Sequence, residues 1–321
     1  MRAVFLDFDT VSCGDLDLSS LERLDLDLQL HGVTPADALP DRVREARVVV
    51  TNKLRIGAEE MDAAPDLELV CLAATGVNNV DLEAASARGI GVTNITGYCT
   101  ASVVQHVFAL VLSLTHRLAD YQRLLHEGAW RDSPQFCLLD YPIRELAGRT
   151  LAIVGLGELG GGVARAAPAF GLEVLVSERP GGEPQGARRP GRTPFPELVS
   201  RADILSLHCP LTPATRGLID AGALARMKPD AILINTARGA LVDSAALAAA
   251  LREGRIGGAG IDVLPQEPPV DGDPLLDPTL PSLIVTPHVA WAARESRQRA
   301  LDEIAANIGS FLEGGRRGRV V

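Results

Sequence analysis

The feature that most constrains this chain is an alternation. Short apolar runs recur along almost the whole sequence, separated by segments with helical spacing. In the first hundred residues the runs are AVFLDF, RVVVTN, LELVCLAAT and GIGVTNI; later come TLAIVGLG, VLVSE, DILSLHCP, AILINTARG, GAGIDVL and LIVTPH. Ala- and Leu-rich stretches such as DSAALAAALREG lie between them. Continuous apolar runs suit strands covered on both faces. Strands that alternate with helices imply right-handed crossovers and parallel sheets. The expected fold class is α/β, built from doubly wound parallel sheets.

With 321 residues, about two domains are expected. One set of strand and helix patterns runs to about Asn94, and a second runs from about Thr150 to His288. A long helical pattern from about Thr100 to His126 and a polar, aromatic connector, GAWRDSPQFCLLDYPIREL, join them. The segment ARESRQRALDEIAANIGSFLEG spaces Leu301, Ile304, Ile308, Phe311 and Leu312 as a helix does. It follows the sixth strand of a sheet that is already complete, so it is expected to return to the first domain. The division expected is residues 1–99 with 289–321 for one domain and 100–288 for the other.

Composition narrows the function. Aromatics are scarce at 4%, so the core must rest on Ala, Val, Leu and Ile. A net charge of -10 argues against nucleic-acid and anionic-membrane partners, which need a basic surface, but leaves room for a small anionic substrate in a local basic pocket. Cys13, Cys71, Cys99, Cys137 and Cys209 form no C-x-x-C pair and are odd in number, so reduced thiols in a cytoplasmic protein are expected. The start, MRAVFLDFDT, carries Asp7 and Asp9 and reads as a first strand and not a signal peptide. The longest apolar stretch, VVQHVFALVLSL, is interrupted by Gln105 and His106 and reads as a buried helix. No metal site is expected.

TLAIVGLGELG sets Gly155, Gly157 and Gly160 directly after an apolar strand and before the helical pattern GGVARAAPAF. A lone G-x-G-x-x-G is weak, but this context is that of a Rossmann-like dinucleotide site. Gly155 permits the tight turn, Gly157 lets backbone approach a pyrophosphate, and Gly160 lets helix and strand pack closely. The helix N-terminus then offers amides to phosphate. The next strand ends at Glu178, 18 residues beyond Gly160, where a carboxylate can accept from both ribose hydroxyls. That carboxylate would repel a 2′-phosphate and favours NAD, while Arg179, Arg188, Arg189 and Arg192 in the Gly/Pro-rich loop that follows keep NADP possible. Taken alone, that loop is a solvated surface segment.

Three further strand ends carry polar groups. AILINTARG ends with Arg238, GAGIDVLPQEPP carries Asp262 and Glu267, and LIVTPH ends with His288. Ligands of open α/β sheets lie outside the carboxyl ends of the strands, so these stretches point toward the crevice of the glycine motif. A nicotinamide cofactor exchanges hydride with a carbonyl or alcohol carbon. Reducing a ketone requires a proton donor beside the oxygen, a task that suits His288, with Glu267 orienting the ring. Arg238 can clamp a carboxylate with a two-pronged grip. Each residue also has a plain structural alternative. His288 could be a packed core ring, Arg238 could pair with Asp243, and Glu267 could be solvated in its Pro-rich loop.

The combination GLGELG, HCPLTPATRGLID, MKPDAILINTARGALVD, GGAGIDVLPQEPP and VTPHVAW resembles the NAD-dependent D-isomer-specific 2-hydroxyacid dehydrogenases over nearly the whole chain. ATGVNNVD, TGYCTASVVQH, FCLLDYPIRELAG and HVAWAARESRQ are similar to the glycerate dehydrogenase, or hydroxypyruvate reductase, branch. The resemblance implies a substrate domain built from both chain ends and a cofactor domain between them. It places the catalytic arginine, glutamate and histidine on Arg238, Glu267 and His288, and the substrate loop on Ala74, Thr75, Gly76 and Val77, whose amides would hold the substrate carboxylate. Cofactor contacts would also fall on Thr100, Glu158, Leu159, Cys209, Pro210, Thr236, Ala237 and Asp262. It implies a homodimer formed through the cofactor domains, with the helix from Thr100 and the FCLLDYPI connector at the contact.

Three positions depart from the family pattern. Glu178 replaces an aspartate, Gln105 stands where many members have glutamate, and Trp291 follows the histidine where a small residue is common, so its ring would narrow or line the substrate pocket. The reaction implied is reversible reduction of a short 2-oxo acid, hydroxypyruvate or glyoxylate, to the D-2-hydroxy acid. The alternatives are an NAD(H)-sensing corepressor-like protein, which should carry long disordered flanks, a short phosphoglycerate dehydrogenase, and a formate or phosphite oxidising enzyme.

Overall fold

The computed structural model describes residues 1–179 and 191–321. They form two compact units, Met1–Cys99 with Trp291–Val321, and Thr100–Ala290. Arg188 and Arg189 lie outside the described residues.

The first unit holds five parallel strands: β1 (Arg2–Phe5), β2 (Asp27–Leu30), β3 (Val48–Thr51), β4 (Leu69–Leu72) and β5 (Gly91–Thr93), in the order β2-β1-β3-β4-β5. β3 and β4 are buried at every position, which is why VVVT and LVCL read as unbroken apolar runs. β2, DLQL, has no buried residue and lies at the sheet edge. It was not anticipated, because an edge strand needs no continuous apolar run. The direction of winding reverses between β1 and β3, and there the buried Asp7 accepts from the amides of Asn52 and Lys53 and from the Thr51 hydroxyl. The helix Arg294–Leu312 packs on β4 and on the short helix Ser19–Glu22, burying Leu301, Ile304 and Ile308, whereas Phe311 is half-buried and Leu312 exposed.

The second unit holds six parallel strands: β6 (Thr150–Val154), β7 (Glu173–Val176), β8 (Ile204–Leu207), β9 (Ile232–Asn235), β10 (Gly258–Ile261) and β11 (Leu283–Val285). Their order is β11-β10-β9-β8-β6-β7, so winding reverses between β6 and β8. Leu205, Leu207, Leu233 and Ile261 form part of a core with Val199, Leu224, Leu247 and Leu251 from the covering helices. The α/β class with two doubly wound parallel sheets is the one expected.

The single long helix expected from Thr100 to His126 is two helices, Thr100–Thr115 and Leu118–His126. Arg117 breaks it by adopting a left-handed backbone with φ 54°. Its side chain is anchored for that conformation: the guanidinium pairs with Asp120, donates to the Ser282 hydroxyl and lies over the Tyr141 ring. No single helix among the described residues is long and apolar enough to cross a membrane. The two helices satisfy length and composition together but bend by 56°, and the first buries Val103, Val107, Phe108, Leu110, Val111 and Leu114. All five cysteines are free, and no group of three or more His, Cys, Asp and Glu among the described residues could hold a metal ion.

Candidate active site

The glycine motif fills the turn between β6 and the helix Glu158–Ala166, at the point where the winding reverses. Each glycine faces a different demand. Gly155 has φ 98°, and a Cβ there would stand 2.6 Å from the His208 carbonyl carbon, at the end of β8. A Cβ on Gly160 would lie 2.0 Å from the Gly155 carbonyl oxygen. Gly155 and Gly160 are therefore required by the protein's own packing. Gly157 is not: its φ of -80° suits any residue, and a Cβ would meet nothing within 4 Å. A requirement for glycine at 157 has to come from outside the chain, as close approach of a pyrophosphate would supply.

The other cofactor candidates surround this turn or the neighbouring strand ends. Glu158 opens the helix, exposed, and accepts from the Thr100 hydroxyl at 3.1 Å, and Leu159 beside it is half-buried. Cys209 is buried and Pro210 exposed just beyond β8. Past the end of β7, Glu178 is half-buried, and Arg192 donates to the Ser177 carbonyl at 3.0 Å, while Arg179 is exposed. Thr236, past β9, is buried and its hydroxyl has no hydrogen-bond partner among the described residues. Ala237 is half-buried, its amide held by Asn235 Oδ1 at 3.1 Å. An uncovered Gly157 and an unsatisfied Thr236 hydroxyl are the features that a bound dinucleotide would complete, so these residues fit the group.

Arg238, Glu267 and His288 follow the carboxyl ends of β9, β10 and β11, three adjacent strands. His288 is not a core ring. Its side chain is 27% exposed, and Nδ1 meets Glu267 Oε2 at 2.7 Å. Glu267 is not free in solvent, since Oε1 also accepts from the Leu264 amide at 2.9 Å. With a carboxylate at Nδ1, that nitrogen carries the proton and Nε2 is the one presented for reaction. Arg238 is exposed and does not pair with Asp243. Its Nη1 donates to the Ala237 carbonyl at 2.7 Å, and Asp243 instead caps the helix Ser244–Arg252. The loops of Arg238 and Glu267 touch through Gly239, where a Cβ would fall 2.0 Å from the Leu264 carbonyl carbon. Gly239 escaped the sequence reading, since nothing local distinguishes it from an ordinary turn glycine.

Asp262 holds the histidine loop. Its carboxylate, 1% exposed, accepts from the amides of Val289 and Ala290 and from the Thr286 hydroxyl, and its carbonyl accepts from the His288 amide at 2.8 Å. His288 needs this support because its backbone is left-handed, φ 55°, which costs a non-glycine residue about 1–2 kcal/mol. Past β8, His208 is half-buried, and desolvation of its ring pushes its pKa down to about 4. The Ser206 hydroxyl meets its Nε2 at 2.8 Å.

In the first unit, Ala74 to Val77 follow β4. The Thr75 hydroxyl donates to the Ile95 carbonyl at 2.9 Å, and Asn94 Nδ2 donates to the Thr75 carbonyl at 2.8 Å. These bonds stake the loop, yet the amides of Ala74, Thr75, Gly76 and Val77 have no acceptor among the described residues. Successive amides without a protein acceptor are donors that a carboxylate could take. Trp291 packs edge-on against Tyr98, ring centroids 6.4 Å apart.

Comparison with known proteins agrees with the two-sheet α/β fold. Residues 108–290 match the family model described as D-isomer specific 2-hydroxyacid dehydrogenase, NAD binding domain. A glycerate dehydrogenase of Methylorubrum extorquens is 44% identical over 281 residues, covering 88% of this chain and 87% of that protein. A hydroxypyruvate reductase of Blautia hydrogenotrophica is 36% identical over 319 residues, 98% of each chain. The crystal structure of the TT0316 protein from Thermus thermophilus superposes with a TM-score of 0.87 at 36% identity, covering all of both chains. The chain belongs to the D-isomer specific 2-hydroxyacid dehydrogenase family, oxidoreductases that use NAD(P).

Proposed function

We propose that the protein reduces short 2-oxo acids, with hydroxypyruvate or glyoxylate as substrate, to the D-2-hydroxy acids glycerate or glycolate, and runs the reverse reaction when product is in excess. The observation that carries this reading is the His288 to Glu267 bond, which leaves Nε2 of the ring as the reacting nitrogen. Two relatives named for glycerate and hydroxypyruvate support the substrate class. The amides of Ala74 to Val77 take the substrate carboxylate, in the unit formed by both chain ends. Arg238 contributes a fork of donors to the carboxylate and the adjacent carbonyl oxygen. Bound NAD(P)H supplies the hydride. As negative charge develops on the carbonyl oxygen, the imidazolium of His288 gives it the Nε2 proton, and Glu267 stabilises the cation and fixes the ring. In the oxidative direction the neutral ring takes the hydroxyl proton at the same atom. Trp291 lines and narrows the substrate pocket.

Glu178 favours NAD over NADP, and Glu158, Leu159, Cys209, Pro210, Thr236, Ala237, Asp262 and Thr100 complete the cofactor's surroundings. The protein works as a homodimer. Phe136 is 90% exposed and Leu139 79%, with Trp130 and Ile143 half-exposed nearby in sequence. Apolar surface of this kind, on one connector, calls for a cover, and a second copy supplies it. Initial rates with NADH and NADPH against glyoxylate, hydroxypyruvate, pyruvate and bulkier 2-oxo acids test the proposal. Rates should be highest with NADH and with glyoxylate or hydroxypyruvate; a preference for a branched acid, or no reduction at all, contradicts it.

A further inference from the structure

Asp262 is buried, yet no lysine or arginine pairs with its carboxylate among the described residues. The nearest cationic candidate is His106, with Nε2 3.6 Å from Oδ1. Between them stands Thr286, whose Oγ1 is 2.5 Å from Asp262 Oδ1 and 3.0 Å from His106 Nε2. Proton counting sets the direction of this chain. An ionised carboxylate only accepts, so Thr286 gives its single hydroxyl proton to Asp262. The contact with His106 can then be a hydrogen bond only if Nε2 carries the hydrogen and Thr286 accepts it. The relay runs from His106 through Thr286 to Asp262, and from Asp262 to the amides of Val289 and Ala290.

The same helix holds the loop a second time. Ser102, one turn before His106, donates to the Ala290 carbonyl at 2.6 Å. The helix Thr100–Thr115 therefore grips the loop two residues before and two residues after the left-handed His288. We propose that His106 is a positioning residue for the reaction. Through Thr286 and Asp262 it fixes the loop that aims His288, without touching the substrate. The inference rests on the role of His288 proposed above.

Four variants test it: His106→Leu, His106→Gln, Thr286→Val and the double variant His106→Leu/Thr286→Val. A displaced catalytic ring loses rate and leaves ground-state binding alone, so His106→Leu should lower kcat about 10²-fold with KM for the 2-oxo acid and Kd for NADH changed less than about twofold. Glutamine places an amide N–H where Nε2–H stood and should restore most of the rate. Thr286→Val should match His106→Leu, and the double variant should be no worse than either, because both cut one chain. A wild-type kcat in His106→Leu, a glutamine variant as poor as leucine, additive losses, or a loss confined to KM would each overturn the inference. Amide exchange at Val289 and Ala290 is read without substrate and separates the two possible failures. Unchanged exchange in His106→Leu overturns the relay whatever the reaction is. Faster exchange, beside a wild type inactive on every 2-oxo acid, overturns the proposed reaction and not the relay.

Discussion

The three glycines of the turn after β6 can be separated by one substitution each. Alanine at 155 places a Cβ 2.6 Å from the His208 carbonyl carbon and forces a side chain onto a backbone at φ 98°. The backbone strain costs about 1–3 kcal/mol and the overpacking another 1–3 kcal/mol, so roughly 2–6 kcal/mol of stability is lost. Alanine at 160 meets a carbonyl oxygen at 2.0 Å, which no rotamer relieves, and the helix must shift. Alanine at 157 meets nothing and keeps its backbone, so it should stabilise the free protein by about 0.4–1 kcal/mol through the unfolded chain. Only a bound pyrophosphate makes that methyl group costly. Losing one charge-assisted bond from an amide to phosphate is worth about 1.5–3 kcal/mol, or roughly 10- to 100-fold in Kd. The assay is thermal unfolding of each variant beside a fluorescence titration with NADH. Gly155→Ala and Gly160→Ala should unfold at markedly lower temperature. Gly157→Ala should unfold no earlier than wild type, yet its Kd for NADH should rise by about tenfold or more. Wild-type NADH affinity in Gly157→Ala would refute the reasoning, as would an unchanged Tm in Gly155→Ala.

Three further outcomes are expected. Arg238→Lys keeps the charge but loses the fork, so kcat/KM for a 2-oxo acid should fall about 10- to 100-fold while NADH binding holds; unchanged saturation by the acid would count against the clamp. His208 titrates near 6.5 when unfolded and at about 4 when folded, so below pH 6.5 the unfolded chain takes up a proton the folded ring refuses. Stability should fall by about 1.4 kcal/mol per pH unit from there toward pH 4, with no contribution above 6.5, and His208→Gln should flatten that slope in urea melts at pH 7, 6 and 5; an equal slope in both proteins would exclude the ring as its source. If the proposed homodimer forms through this connector, Phe136→Asp with Leu139→Asp should halve the mass measured by light scattering, and an unchanged mass would contradict that contact.

Most of the fold could be read from the chain because buried parallel strands announce themselves. VVVT, LVCL, ILSL and ILIN are apolar throughout or nearly so, and each became a central strand. β2 could not be read this way, since its DLQL is not fully covered. The break at Arg117 was hidden for another reason. No glycine or proline marks it, and of the contacts that anchor its side chain only Asp120 is local, while Ser282 and Tyr141 come from farther along the chain. Arg238, Glu267 and His288 were legible as polar groups at the ends of apolar strands. His106 was visible only as an interruption in a buried helix, because its partners Thr286 and Asp262 lie more than a hundred residues away in sequence and only the folded sheet brings them together.

The most direct measurement of the central claim compares turnover with cofactor binding in His288→Gln. Glutamine can still reach Glu267, but it has no proton to give at the position of Nε2 as an imidazolium does. Reduction of hydroxypyruvate by NADH in a single-turnover experiment should slow by about 10²–10⁴-fold, while NADH quenches with wild-type affinity. Hydride transfer at the wild-type rate in that variant would show that the ring moves no proton, and would contradict the assignment of His288 as the donor.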